Sequence, residues 1–414
     1  MTERSMMTSD HPSLKRAAQL LLLLPLGLGC ESGPTKSTPD VQIDYDFPGA
    51  SLAYADPLTG DTYRIGLKDD TNATSKGWFS FRVHNAAGRS LTFRLQDVFI
   101  PFTPWPYRQP VVSTDDGQSW TRITDTGQDS TTFIFSYRAQ SDDDWVTLGP
   151  AYSFARYLAL VDELAANPEV AAVTEVGRTI GDNPLHHLEI RSQPAGTLPA
   201  IWAVARQHPG EPGGSYMMEG FLRWAVSADP DAVALRSRAE IHAIPFLNAD
   251  GVLAGNQRVN LAGLDLNRQW ANPTLAESPS VYRASEAITS FRNAGGEIRI
   301  MLDFHSSPGA RSNFFYYNEE ASSSTPLYTE VRALIDTIQS INGDFRPLDD
   351  NLARPVQGER VRGWGFTDLQ THGLTIESSG NDVTYGPFSG QQMTPERLLA
   401  LGEAVGRGIL RTLF

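Results

Sequence analysis

An α/β sheet with helices on both faces, preceded by an all-β sandwich, is the fold class that this sequence predicts. Two textures along the 414 residues carry that expectation. From Val41 to about Pro150, short runs alternate large apolar and polar residues between turn signals, as half-buried strands do. From Tyr152 onward, apolar strands alternate with amphipathic helices, the order of an α/β unit. Composition adds a third observation. With 40% hydrophobic and 20% charged residues the chain can bury a sizeable core, and its length suits two domains.

The amino terminus reads as a targeting segment. Lys15 and Arg16 precede an apolar run, Ala17 to Leu28, whose 12 residues are too few to span a bilayer. The run ends at Leu26-Gly27-Leu28-Gly29-Cys30, and Cys30 is the only cysteine. This resembles a bacterial lipoprotein signal, in which the cysteine becomes the lipidated first residue, although Gly27 stands where such signals prefer Leu. The expectation is a signal peptide over 1–29, a Ser/Thr/Pro/Gly-rich linker over 30–40, a β-sandwich domain over 41–151 and a second domain over 152–414. The mature protein is then exported, periplasmic or at the cell surface, and meets the membrane only through a lipid anchor. One cysteine permits no internal disulfide. A net charge of −14 and a pI near 5.0 argue against broad nucleic-acid binding, which needs a basic footprint.

In the β region, Trp78 to Val83, Leu91 to Leu95 and Phe133 to Tyr137 read as strands, with a turn at Asp115-Asp116-Gly117. In the second domain, Phe154, Leu158, Val161 and Leu164 mark a helix. Strands are expected at Leu188 to Ile190, Ala200 to Ala205, Ile241 to Leu247, Ile298 to Phe304 and Leu374 to Glu377. Helices are expected near Val281 to Asn293 and Leu327 to Ile341, the latter entered by Thr325-Pro326 as cap and first turn. Thr394-Pro395 opens the last helix in the same way.

Chemistry gathers at the ends of these strands. Arg206-Gln207-His208-Pro209-Gly210-Glu211 sets an imidazole and a carboxylate three residues apart, between an apolar strand and a helix whose Met217, Met218, Phe221, Leu222 and Ala225 share a face. Strand ends in open α/β folds are where sites sit. Asn248-Ala249-Asp250-Gly251-Val252, Arg258, Gly263 to Arg268, Asp303-Phe304-His305 and Leu374-Thr375-Ile376-Glu377 follow at later strand ends. Together they supply a second histidine, guanidinium and amide donors, and a further carboxylate. Two His, one Glu and an open position make the usual catalytic zinc set, with another Glu to take a proton from water.

Taken in order, His208-Pro209-Gly210-Glu211, Asn-x-Asp-Gly-Val, Gly-Asn-Gln-Arg258, Gly-x-Asp-Leu-Asn-Arg-Gln-Trp270, Asp-x-His305 and Thr-x-Glu377 resemble the carboxypeptidase A-like zinc metallocarboxypeptidases. The Pro-Gly of the first motif, the Asp-Leu-Asn-Arg-Gln-Trp wording and the preceding β region resemble the cytosolic carboxypeptidase subfamily. The resemblance implies a mixed eight-stranded carboxypeptidase sheet and makes 152–414 the catalytic domain. It also implies one Zn²⁺ held by His208, Glu211 and His305, with Glu377 as general base and then acid. Arg258 would polarise the scissile carbonyl, Asn267 and Arg268 would hold the substrate's terminal carboxylate, and Asp265 would orient the far nitrogen of His208. The partners would be peptide or protein carboxyl termini.

Two features depart from that pattern. Ala249 stands where the family usually has Pro, and Asn351 to Phe366 contains no tyrosine, so no tyrosine receives a catalytic role. In Gly358-Glu359-Arg360-Val361-Arg362-Gly363-Trp364, an extended reading turns Arg360 and Arg362 to the same side, as a pocket for an acidic terminal residue. Two other functions compete with this one: a peptidoglycan-peptide amidase with the same zinc chemistry, and a catalytically inactive envelope binding protein.

Overall fold

Aromatic residues on alternating positions of two facing sheets build the amino-terminal part of the fold. The computed structural model describes residues 40–96, 98, 109–307, 312–346, 352–380, 382–383 and 391–414. The expected signal peptide, the expected linker through Pro39 and the expected lipidation site Cys30 lie outside the described residues. One five-stranded sheet runs Gln42–Asp44, Ser80–His84, Asp143–Thr147, Val111–Ser113, Thr121–Arg122, antiparallel throughout. The other runs Tyr54–Pro57, Thr62–Gly66, Ser90–Leu95, Thr132–Arg138, Asp125–Asp129. In it only the Thr62–Gly66 and Ser90–Leu95 pair is parallel. Phe79, Phe81, Phe93, Phe133 and Phe135 point inward from both sheets into one core, Phe93 and Phe135 stacking at 5.2 Å between centroids. At the expected turn, Asp116 and Gly117 both take positive φ, between Val111–Ser113 and Thr121–Arg122.

The second sheet system has eight strands in the order Val170–Arg178, Pro184–Ile190, Glu240–Ile244, Ala200–Ala205, Ile298–Ser307, His372–Ser379, Phe314–Asn318, Leu352–Arg354. The four central strands, from Glu240–Ile244 to His372–Ser379, are parallel, so their carboxyl ends gather on one edge. Antiparallel pairs flank them on both sides. A central parallel strand is buried on both faces and therefore reads as an unbroken apolar run. Ala200–Ala205 is such a run. Ile201, Ala203 and Ala205 face one core, with Tyr157, Phe221, Leu401 and Val405 from the helices Phe154–Ala165, Pro212–Ala225 and Pro395–Leu413. Ala200, Trp202 and Val204 face the other, with Val281, Ile288 and Trp364 from Pro279–Asn293 and Val361–Thr367.

Several details differ from the sequence reading. The strands Val170–Arg178, Phe314–Asn318 and Leu352–Arg354 and the helices Pro230–Arg236 and Val361–Thr367 were not expected. The helix Thr325–Ile341 is capped by Ser324, so Thr325 and Pro326 are already helical. Thr394 does cap the last helix, its side chain accepting from the Arg397 amide.

Candidate active site

The carboxyl end of Ala200–Ala205 does not simply turn. Arg206 takes a φ of 58°, a costly conformation for a long side chain, so the surroundings must hold it there. Its Nε donates to Pro209 O at 3.0 Å, its Nη1 to Ser215 Oγ at 3.1 Å, and its guanidinium lies over the Phe246 ring. The segment from Arg206 to Glu211 is thereby closed on itself. Glu211 is the cap residue of Pro212–Ala225. That helix can reach the strand ends because Gly214 lacks a side chain. A Cβ there would stand 2.5 Å from Phe304 O.

The result is a triad. His208 Nδ1 stands 2.7 Å from Glu211 Oε1, and His305 Nδ1 stands 2.8 Å from Glu211 Oε2. The ligand atoms of all three residues lie within 4.8 Å of one another. The outer nitrogens are engaged too: His208 Nε2 with Asp265 Oδ1 at 3.0 Å, His305 Nε2 with Asp303 Oδ2 at 2.9 Å. An outer carboxylate fixes the tautomer and turns the other nitrogen's lone pair inward, which is how metal-binding histidines are oriented. Burial alone would pull the His208 imidazole down, but Glu211 and Asp265 outweigh it and hold it up. Burial opposes ionisation of Glu211 as well, and the two imidazoles overcome it, keeping the carboxylate well below its usual range. Two imidazole nitrogens and a carboxylate in a dry corner fit a zinc ion with one open position.

Glu377 completes the corner. In the parallel pairing it stands directly opposite His305, on the same face of the sheet. Its Oε2 is buried and has no hydrogen-bond partner among the described residues. Burial, with the Glu211 carboxylate behind it, pushes Glu377 up to about 8. A divalent cation on the triad would draw it down again.

Arg258 and Arg268 both lie against Asp265, with side chains 37% and 32% exposed. Asp265 accepts from Arg258 Nε at 2.9 Å and lies 2.7 Å from its Nη2, which leaves Nη1 without a hydrogen bond among the described residues. Asn267 stands behind His305, its Nδ2 3.1 Å from His305 Nε2 and its Oδ1 accepting from the Val361 amide.

The extended reading of Arg360 and Arg362 is corrected. Val361–Thr367 is a helix with Arg360 as its cap residue, so two positions apart they diverge rather than align. Packing decides this. Gly363 comes so close to Gln357 O that a Cβ would meet it at 2.0 Å, and Val361 and Trp364, three apart, bury together. Arg362 is 2% exposed and donates to Asn318 Oδ1 and Gln357 Oε1, with no carboxylate in ion-pair range among the described residues. Burial first, then Arg360 and Arg354, lowers its guanidinium to about 10. Among the described residues Arg360 has only Glu359 in ion-pair range, at 3.7 Å, and its buried Nε has no hydrogen-bond partner there. Both arginines, with Arg354, act on Tyr316, whose phenol burial and Glu377 push upward.

The comparisons with known proteins agree with this geometry. Residues 157–359 match the zinc carboxypeptidase family, and residues 43–148 match the cytosolic carboxypeptidase N-terminal domain. The chain belongs to the zinc carboxypeptidase family. The enzyme is 26% identical over 405 residues to cytosolic carboxypeptidase 6 of Caenorhabditis elegans, covering 89% of this chain and 86% of that protein. It is 27% identical over 419 residues to cytosolic carboxypeptidase 2 of Danio rerio, covering 91% of this chain but only 57% of that one. Its fold is that of a metallo-carboxypeptidase from Burkholderia cenocepacia, with a TM-score of 0.82 at 24% identity over 90% of this chain and 98% of the other. Glu377 lies beyond the matched residues of the catalytic family, and the strand pairing with His305 is what places it.

Some residues of the site escaped the sequence reading. Gln207 donates to Asp303 Oδ1 and accepts from Trp270 Nε1, both at 2.8 Å, tying the metal loop to the next strand. Asp303 had a legible signal, since two residues before His305 in a strand is the same face. Tyr316 had none, because only the pairing of edge strands brings it within two positions of Glu377, and the same pairing sets Asn318 against Arg354 farther along. Three histidines outside the motifs have partners away from the triad. His187 and His242 meet at 3.0 Å, and His372 meets Glu330 at 2.8 Å.

Proposed function

We propose that this enzyme releases the last residue of peptides or proteins by water attack, with one zinc per chain, and prefers acidic terminal residues, Glu or Asp. The observation that carries the reading is the sealed Glu377 oxygen, without a partner among the described residues, beside the two-His, one-Glu triad, with Arg258 tied through Asp265 to the outer nitrogen of His208. Zinc, held by His208, Glu211 and His305, would supply a Lewis acid for the scissile carbonyl and for water. Glu377 takes a proton from the attacking water and later gives it to the leaving amine. Arg258, braced by Asp265, directs Nη1 at the charge that develops on the carbonyl oxygen. Arg268, with Asn267, receives the terminal carboxylate.

Acid preference draws on Arg354, Arg360 and Arg362 around Tyr316. A buried guanidinium with no acid of its own favours a carboxylate ligand. The test compares kcat/KM for peptides ending in Glu, Gln and Lys, in the native enzyme and in Arg360→Gln and Arg362→Gln separately. Loss of a desolvated charge pair should narrow the Glu-over-Gln preference by roughly thirtyfold, about 2 kcal/mol, in at least one variant. A native preference for Lys, or two variants with unchanged ranking, would end the acidic-pocket reading. No release of any terminal residue by zinc-loaded protein would end the exopeptidase reading too, and cleavage of peptidoglycan peptides alone would favour the amidase.

Export and lipidation at Cys30 rest on the sequence signal. The expected result is membrane partitioning of the native protein, lost in Cys30→Ala. A soluble native protein whose amino terminus begins well past Cys30 would refute the anchor.

A further inference from the structure

A carboxylate from the β region reaches into the loop that carries Arg258. Asp70 is only 4% exposed, yet among the described residues it pairs with no cationic side chain. Instead it accepts three consecutive backbone amides: Gln257 N on Oδ1 at 2.5 Å, Arg258 N on Oδ2 at 2.7 Å and Val259 N on Oδ2 at 3.1 Å. Successive amides turned inward form an anion nest, and here the anion is supplied by a residue 188 positions from Arg258. A buried carboxylate is tolerated only when so satisfied, and charge-assisted bonds of this kind are strong. The Asp70 loop is itself braced, its amide donating to Ser75 O at 2.8 Å and its carbonyl accepting from Ala73 N.

Neighbouring contacts from the same segment land beside Arg258, not on it. Lys68 Nζ donates to Ala254 O, Thr71 N to Asn256 Oδ1, and Asn72 Nδ2 to Leu261 O. At Gly255, with φ +70°, a Cβ would stand 2.0 Å from Ala50 O, so the loop runs as close to the β region as a chain can. From the other side, Gln257 O accepts from Gly210 N at 2.9 Å, inside the His208–Glu211 loop. Arg258 is thus fixed twice, its guanidinium by Asp265 and its main chain by Asp70.

We propose that Asp70 is a positioning residue for catalysis: it sets the main chain at Arg258 so that the guanidinium meets the scissile carbonyl, and this is one function of the β region. The proposal rests on the role given to Arg258 above. An interaction that matters only as charge develops appears in kcat, whereas loose docking of the β region would appear in stability and metal content.

The experiment uses the full chain. Asp70→Asn keeps the shape and one acceptor but loses the charge and turns an NH₂ toward the nest. It should lower kcat on the order of tenfold with KM changed less than about twofold, leave zinc content at one per chain, and raise hydrogen exchange at the Gln257, Arg258 and Val259 amides. Combined with Arg258→Ala it should add less than about twofold to the loss from Arg258→Ala alone, because one residue acts through the other. Lys68→Met removes a contact between the same segments away from the nest and should retain kcat. An unchanged kcat in Asp70→Asn, a full tenfold loss on top of Arg258→Ala, or an equal loss in Lys68→Met would overturn the proposal. Arg258→Ala at full activity would instead overturn the role of the guanidinium. Unchanged amide exchange in Asp70→Asn would overturn the clamp itself, whatever the kinetics.

Discussion

Glu377→Gln should retain its metal and bind peptide while its kcat falls by about a hundredfold to ten-thousandfold. The amide matches the carboxylate in shape and can still hydrogen-bond, but it cannot take a proton. Glu377 stands opposite His305 in the pairing, with Oε2 sealed from solvent and without a hydrogen-bond partner among the described residues. Burial and the Glu211 carboxylate both oppose its ionisation, so the neutral amide relieves a like-charge contact. The metal-free variant should therefore melt no lower than the metal-free native protein. The measurements are zinc per chain, KM or direct peptide affinity, and single-turnover rate. A rate within tenfold of native would move the proton transfer to another group.

The carboxyl ends of the central strands were legible because of how parallel sheets are built. Ala200–Ala205 and Ile298–Ser307 are buried on both faces, so a polar residue at the end of such a run stands out. His208, His305 and Glu377 are those interruptions, and the parallel pairing collects them. The helices were legible where an apolar stripe met a cap, as at Thr394. The Arg360–Arg362 stretch misled because Val361–Thr367 has weak intrinsic preference for a helix, with two glycines, a valine and a threonine among its seven residues. Its form is set by close packing of Gly363 and by Gly373 against Arg362, contacts that no local pattern encodes. Asp70 escaped for a related reason. Lys68-Asp69-Asp70-Thr71-Asn72 reads as a solvated turn, and its partners lie nearly two hundred residues away. Arg206 escaped because a left-handed arginine is chosen by its surroundings, not by its identity.

His305→Ala should lose the metal and with it all turnover, and should also melt lower in the metal-free state. The two effects have different origins. The first is the loss of one of three protein ligands, which should weaken zinc by more than the ten- to hundredfold typical of losing an outer partner. The second follows from what the imidazole bridges. It joins Glu211 Oε2 to Asp303 Oδ2, and Asp303 is wholly buried. Without His305, Asp303 keeps only Gln207 Nε2 among the described residues, at 2.8 Å, and Glu211 Oε2 keeps the Ser306 amide at 3.2 Å. Stripping a buried carboxylate of its main partner costs about 3 kcal/mol. His305→Gln separates the two. Its amide can still donate toward Asp303, so part of the lost stability should return, but it offers no imidazole nitrogen and zinc occupancy should stay low. Full zinc occupancy in His305→Ala would remove this residue from the metal site. If His305→Gln regained metal along with stability, the defect would lie in the fold of the strand end and not in the ligand.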